Sequence, residues 1–178
     1  MDLFSERGLE STSVQDIAQA AGIAKGTIYL YFKSKEDLTR EVYRYCCEMD
    51  IRACEEGIAE QKNSIDKLCR RTDNIIDYLL SHPREARIEQ MYRTFSSGKE
   101  TFSYYQEDMY RAIEAIIREG AQKGELKSLP VPLLSRIYYG IAQGLYLGFQ
   151  QEPDLWKSDD VKNQCHQLIH DSFTPRHS

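Results

Sequence analysis

Between Ala21 and Ser34 the sequence carries no acid, while Lys25 and Lys33 fall inside that window and Lys35 follows at once. Cations kept clear of carboxylates suit a surface that meets phosphate, because an acid placed there would repel it. Thr27, Tyr29 and Tyr31 are interleaved with these lysines. On a helix Lys25 and Tyr29 stand one turn apart, as do Thr27 and Tyr31, so groups able to reach phosphates or base edges project from adjoining faces. Ile28 and Phe32 form the i, i+4 pair that points inward. Gly26 removes a side chain where a DNA backbone could approach closely. A plainer account makes the tyrosines packing residues and the lysines an ordinary solvated face, so the elements that hold this window matter.

Those elements read as helices throughout. Gly and Pro cut the chain into pieces of helical length, and apolar residues inside the pieces recur every three or four positions. Val14, Ile17, Ala18 and Ala21 form one such stripe, opened by Thr12 or Ser13 as a cap and stopped at Gly22. A second short helix is expected from Ala24 to Phe32, and a third, capped by Ser34, runs over 35–56. Two short helices joined by a tight turn, the second too small to pack by itself, form the layout of a helix-turn-helix, whose second helix enters the major groove. Further helices are expected where Ile65, Leu68, Cys69, Thr72, Ile75, Ile76 and Leu79 share a face, then over 103–123, 133–151 and 158–173. The fold class is all-α, a three-helix N-terminal unit followed by a helical C-terminal region.

The chain has 178 residues, a net charge of −5, 41% hydrophobic and 29% charged residues, which fits one soluble domain or two small ones sharing a core. No apolar run is long enough for a membrane span, and the N-terminus has no secretory pattern, so a cytoplasmic location with no membrane partner is expected. Five cysteines without a CxxC pair suit a reducing compartment. Cys47 and Cys54 on one helix, and His166 and His170 on another, do not make a metal site, because zinc needs three or four ligands. No metal and no cofactor are expected. Without a GxSxG, an HExxH or a phosphate-binding glycine loop, the sequence does not read as an enzyme.

The string Leu3-Phe4-x3-Gly8, then Thr12-Ser13-Val14-x-Asp16-Ile17-Ala18-x2-Ala21-Gly22-Ile23, then Lys25-Gly26-Thr27-Ile28-Tyr29-x-Tyr31-Phe32-Lys33-Ser34-Lys35-x2-Leu38 closely resembles the DNA-binding domain of TetR/AcrR-type transcriptional regulators. The resemblance implies a DNA-binding domain over 1–44 with its helix-turn-helix at 13–32, and an effector-binding and dimerisation domain over 45–178. It implies a homodimer that binds a palindromic double-stranded operator and leaves it when a small apolar or aromatic effector binds. Carried over by position, Ser13 faces a phosphate, Lys25, Gly26, Thr27 and Tyr29 approach bases and nearby phosphates, and Tyr31 and Lys35 grip the backbone. Relatives carry further turns of first helix before Leu3-Phe4, so the resemblance also implies a shortened first helix here. Residues 1–50 hold six Lys and Arg against nine Asp and Glu. These two features favour the alternative expectation, a helical small-molecule-binding dimer that has lost DNA binding.

In the C-terminal region Gly140, Gly144 and Gly148 recur at four-residue intervals inside an otherwise apolar helix. Each glycine costs a helix about 1 kcal/mol relative to Ala, and a row of small residues lets another helix approach. The resemblance places this row in a dimer interface. It also implies an effector pocket among Tyr78, Met91, Tyr92, Phe95, Phe102, Tyr105, Met109 and Ile113, where tyrosine supplies an apolar wall with a polar tip.

Overall fold

The computed structural model describes residues 1–95 and 100–175. Its first helices are short and locally capped: α1 (Asp2–Arg7), α2 (Val14–Ala20) and α3 (Lys25–Tyr29). Ser13 and Asp16 close a capping box on α2, Oγ of Ser13 accepting from the Asp16 amide at 3.1 Å while Oδ2 of Asp16 accepts from the Ser13 amide at 2.9 Å. Gly22 turns the chain at φ 66°, a conformation that favours glycine, and so delivers α3 at an angle to α2. Val14 and Ala18 of α2, Ile28 of α3 and Leu38 form the small core that fixes the pair. The window expected to be helical over 24–32 is helical only to Tyr29. There the Tyr31 amide bonds back to the Ile28 carbonyl at 3.0 Å, tightening the last turn.

Ser34 caps α4 (Lys35–Glu55), accepting from the Asp37 amide at 3.1 Å. This helix leaves the N-terminal unit and enters the larger core. A cluster of Phe4, Leu9, Tyr43, Cys46, Cys47, Ile88 and Tyr92 joins α1 to α4 and to the helix that carries Ile88. That helix, α6 (Pro83–Phe95), has no clear apolar stripe. Pro83 reads in the sequence as the end of α5 (Ser64–Ser81), and it is also the first residue of the next helix, where its missing N–H costs nothing. Glu89 on its buried side further hides the stripe.

The remaining helices are α7 (Glu100–Gln122), α8 (Val131–Gln151) and α9 (Asp159–Phe173). They pack with α5 around Leu68, Ile113, Ile117, Leu134, Tyr138 and Ile169. Gly120 allows the close crossing of α7 over the start of α5, for an added Cβ would lie 2.6 Å from both Ser64 Cβ and Leu126 Cγ. α8 buries Leu134, Tyr138, Ala142, Leu145, Tyr146 and Phe149. Its opposite face leaves Leu133, Ile137, Gly140, Gly144 and Leu147 exposed. Among the described residues no helix is long and apolar enough to cross a membrane.

Candidate DNA interface and effector core

The residues expected to meet DNA share one outer surface. Lys25, Gly26 and Tyr29 are exposed on α3, Tyr31 beyond its end is 77% exposed, and Ile28 alone turns inward. Lys25 Nζ stands 6.0 Å from the centroid of the Tyr29 ring, so the cation and the aromatic face sit side by side. Thr27 is half-buried on the same helix. Leu30, passed over in the sequence, is 81% exposed between the two tyrosines and adds an apolar contact to the surface.

Two expected phosphate ligands already have partners within the chain. Ser13 Oγ donates to Asp16 Oδ2 at 2.6 Å, and its hydrogen bonds, together with that of the Ser13 amide, hold the Asp16 carboxyl below its usual range. Lys35 Nζ donates to the Glu10 carbonyl oxygen at 2.7 Å and so ties the start of α4 to the loop after α1. Lys35 can therefore brace the N-terminal unit as well as offer charge to DNA.

The residues expected in the pocket divide among separate core clusters: Tyr78 in one, Ile113 in another, and Met91, Tyr92 and Tyr105 around Tyr43 in a third. Tyr92 stacks on Tyr43 with ring centroids 4.1 Å apart, and Tyr105 meets Tyr43 edge-on at 5.9 Å. Met109 is buried, and Ile113 stands inside the main core with Leu68 and Ile117. The side chains of Phe95 and Phe102 lie outside the described residues. Met91 faces a cavity of about 930 Å³ between residues 8–11, the outer side of α6 and the end of α8, which Ala86, Gln90 and Phe149 also line.

Tyr78 leads to a buried polar group that sequence reading missed. Its hydroxyl donates to Glu89 Oε1 at 2.8 Å. Tyr146 donates to Asp50 Oδ1 at 2.5 Å, and the Cys54 thiol donates to the same oxygen at 3.2 Å. Arg93 lies 5.4 Å above the Tyr146 ring and reaches Glu89 Oε2 at 3.4 Å. Burial first, and the charge of Asp50 second, push Glu89 well above the usual carboxylate range, against the pull of Arg93. Burial pulls the Arg93 guanidinium down, but Glu89, Tyr146 and Asp50 push it up further, and it stays charged. Burial likewise pushes the Cys46 and Cys69 thiols up to about 12, which leaves them as thiols.

The glycines of α8 divide. A Cβ on Gly140 or Gly144 would meet nothing within 4 Å, whereas one on Gly148 would lie 2.8 Å from Cζ2 of Trp156. Gly148 is thus accounted for inside the chain by the Trp156 ring. Gly140 and Gly144 remain on the exposed face with Ile137 and Leu147. Among the described residues no three His, Cys, Asp or Glu side chains are grouped so as to hold a metal ion.

Residues 1–42 match the family model of bacterial regulatory proteins, tetR family. The chain is 29% identical to the fatty acid metabolism regulator protein of Bacillus subtilis (strain 168) over 143 residues, 79% of this chain and 74% of that protein. It is 52% identical to the HTH-type transcriptional repressor KstR2 of Mycolicibacterium smegmatis over 42 residues, 24% of this chain and 20% of the relative. The crystal structure of the transcriptional regulator FadR from Bacillus subtilis in complex with stearoyl-CoA superposes with a TM-score of 0.80 at 25% identity, over 94% of this chain and 92% of that one.

Proposed function

The chain belongs to the TetR family of transcriptional regulators, and from that premise we propose that it is a homodimeric repressor released from a palindromic operator by an effector of acyl-chain type. It is a regulator and not an enzyme. In this reading residues 1–44 bind DNA, residues 45–178 bind effector and dimerise, and the protein acts in the cytoplasm, where its DNA is.

The observation that carries the reading is the exposed, acid-free face of α3 held on a core of its own and matched over residues 1–42 to known DNA-binding regulators. Lys25, Gly26, Thr27 and Tyr29 would enter the groove, and Ser13, Tyr31 and Lys35 would set the register on the backbone. The exposed stripe of Leu133, Ile137, Gly140, Gly144 and Leu147 suits a second copy packed close on α8. Similarity to a regulator bound to stearoyl-CoA supports an acyl chain as the apolar body of the effector.

Two helices couple the ends of the molecule. α4 begins at the Ser34 cap beside α3 and carries Tyr43, Cys47 and Asp50 into the polar core. α6 carries Glu89 and Arg93 there, packs Ile88 against Phe4 and Leu9, and pairs Arg84 with Asp2 at 2.6 Å. An effector that binds better to one arrangement of α6 shifts the population toward it and moves α1, and with it the spacing of the recognition helices. Fluorescence anisotropy on labelled DNA from upstream of the gene tests DNA binding. Tight binding that weakens steeply with salt is expected. Salt-insensitive binding no tighter than to random DNA would defeat the reading.

A further inference from the structure

α3 ends at Tyr29, and Leu30 continues its turn with a helical backbone at φ −71° and ψ −25°. At 3.6 residues per turn Leu30 points about 160° away from Ile28, the buried residue of this helix, and about 40° from Gly26. Gly26 and Leu30 therefore occupy the middle of the outward face, with Lys25 and Tyr29 on one flank and Thr27 and Tyr31 on the other. The exposures agree, for Leu30 at 81% is the most exposed large hydrophobic side chain among the described residues.

Two observations on that face point to something outside the chain. Gly26 has no left-handed backbone, and a Cβ there would meet nothing within 4 Å. Neither turn geometry nor internal packing asks for glycine at this position, although glycine weakens a helix. Its missing side chain leaves room for another molecule to come close. One turn further on, Leu30 raises an isobutyl group over a surface otherwise made of cations, hydroxyls and aromatic rings. No acid lies between Ala21 and Ser34, so the molecule this face suits is a polyanion.

In the major groove the base edges offer hydrogen-bond donors and acceptors, with one apolar exception, the C5-methyl of thymine. Lys25, Thr27, Tyr29 and Tyr31 can bond to those groups or to phosphate, and Leu30 can bond to neither. Packed on a donor or acceptor, it would strip water from a polar group and return nothing. Packed on a thymine methyl, it takes apolar surface out of water on both sides.

We propose that Leu30 determines specificity by packing on the C5-methyl of a thymine in each half-site, beside the close approach at Gly26. The inference rests on the operator-binding reading above and adds to it a residue and the base it selects.

Fluorescence anisotropy on the full chain tests it with two duplexes of the DNA upstream of the gene, one carrying thymine and the other uracil throughout, which differ only in their C5-methyl groups. Wild type is expected to bind the uracil duplex about fifteenfold more weakly, from one buried methyl in each of two half-sites. Leu30→Ala is expected to bind the thymine duplex about fifteenfold more weakly than wild type does, and to discriminate between the duplexes by no more than about twofold. Any change that uracil makes to DNA shape acts on both proteins alike and cancels in that comparison. Because the side chain is exposed, the variant is expected to unfold at the wild-type Tm. Equal discrimination by the two proteins, or none by wild type, would overturn the proposal and leave the repressor reading standing. Failure of wild type to bind the thymine duplex more tightly than random DNA would overturn that reading, and the proposal with it, so the two failures are told apart.

Discussion

The recognition face of α3 and the core around Arg93 are both built from charged groups and tyrosine, but they treat those groups in opposite ways. On α3 and just past its end, Lys25, Tyr29 and Tyr31 stand in water over a small core to which only Ile28 of that helix contributes a buried side chain. Around Arg93 the same chemistry is buried among four helices, where burial and the neighbouring Asp50 push the Glu89 carboxyl well above its usual range. Surface charge costs the fold little and can be spent on phosphate. Buried charge is expensive, so its arrangement is coupled to packing, and whatever binds there can move helices. In the proposed function, DNA reading falls to the first region and switching to the second.

The sharpest structural test uses the glycines of α8, which also divide between an outer and an inner role. Gly148→Leu drives a side chain into Trp156 and is expected to cost about 3 kcal/mol in urea unfolding, while Gly144→Leu leaves the protomer folded and breaks the dimer in sedimentation. A monomeric wild type would remove the outer role altogether.

Glu89→Gln should stabilise the protein by about 2 kcal/mol at pH 8 and by much less at pH 5. The folded-state pKa of Glu89 is raised above the ordinary 4.5, so its contribution is fully present below 4.5 and is lost as pH rises toward the folded value. The amide mimics the protonated acid and escapes that loss. A variant advantage that stays constant with pH would show that Glu89 is ionised in the fold.

Lys35→Ala should lower the log–log salt slope of operator binding by about one unit. A fall in Tm with an unchanged slope would instead assign Lys35 wholly to its bond with the Glu10 carbonyl. Ser13→Ala is expected to cost about 1 kcal/mol of stability through the lost cap on α2, measured by thermal unfolding.

The recognition face was legible in the sequence because its determinants are local. A cap at Ser13, a turn at Gly22 and an inward Ile28 follow from neighbours within a few positions, as does the absence of acids from 22–33. The end of α3 was less so, since nothing between Tyr29 and Phe32 announces the tightening after Ile28. The polar core was hidden because Asp50, Tyr78, Glu89 and Tyr146 come from four helices and converge only on folding. Acidic Glu89 on the buried side of α6 also breaks the apolar stripe by which that helix could have been found. Gly148 could not be separated from Gly140 and Gly144 by spacing, because its partner Trp156 lies beyond the helix end.

Coupling between the two regions is read directly by one measurement. Affinity for the operator is determined by anisotropy with and without saturating dodecanoyl-CoA, with ligand occupancy confirmed by calorimetry. Ligand is expected to bind the free dimer and to weaken its hold on DNA at least about tenfold. Ligand bound at full occupancy with operator affinity unchanged would contradict it.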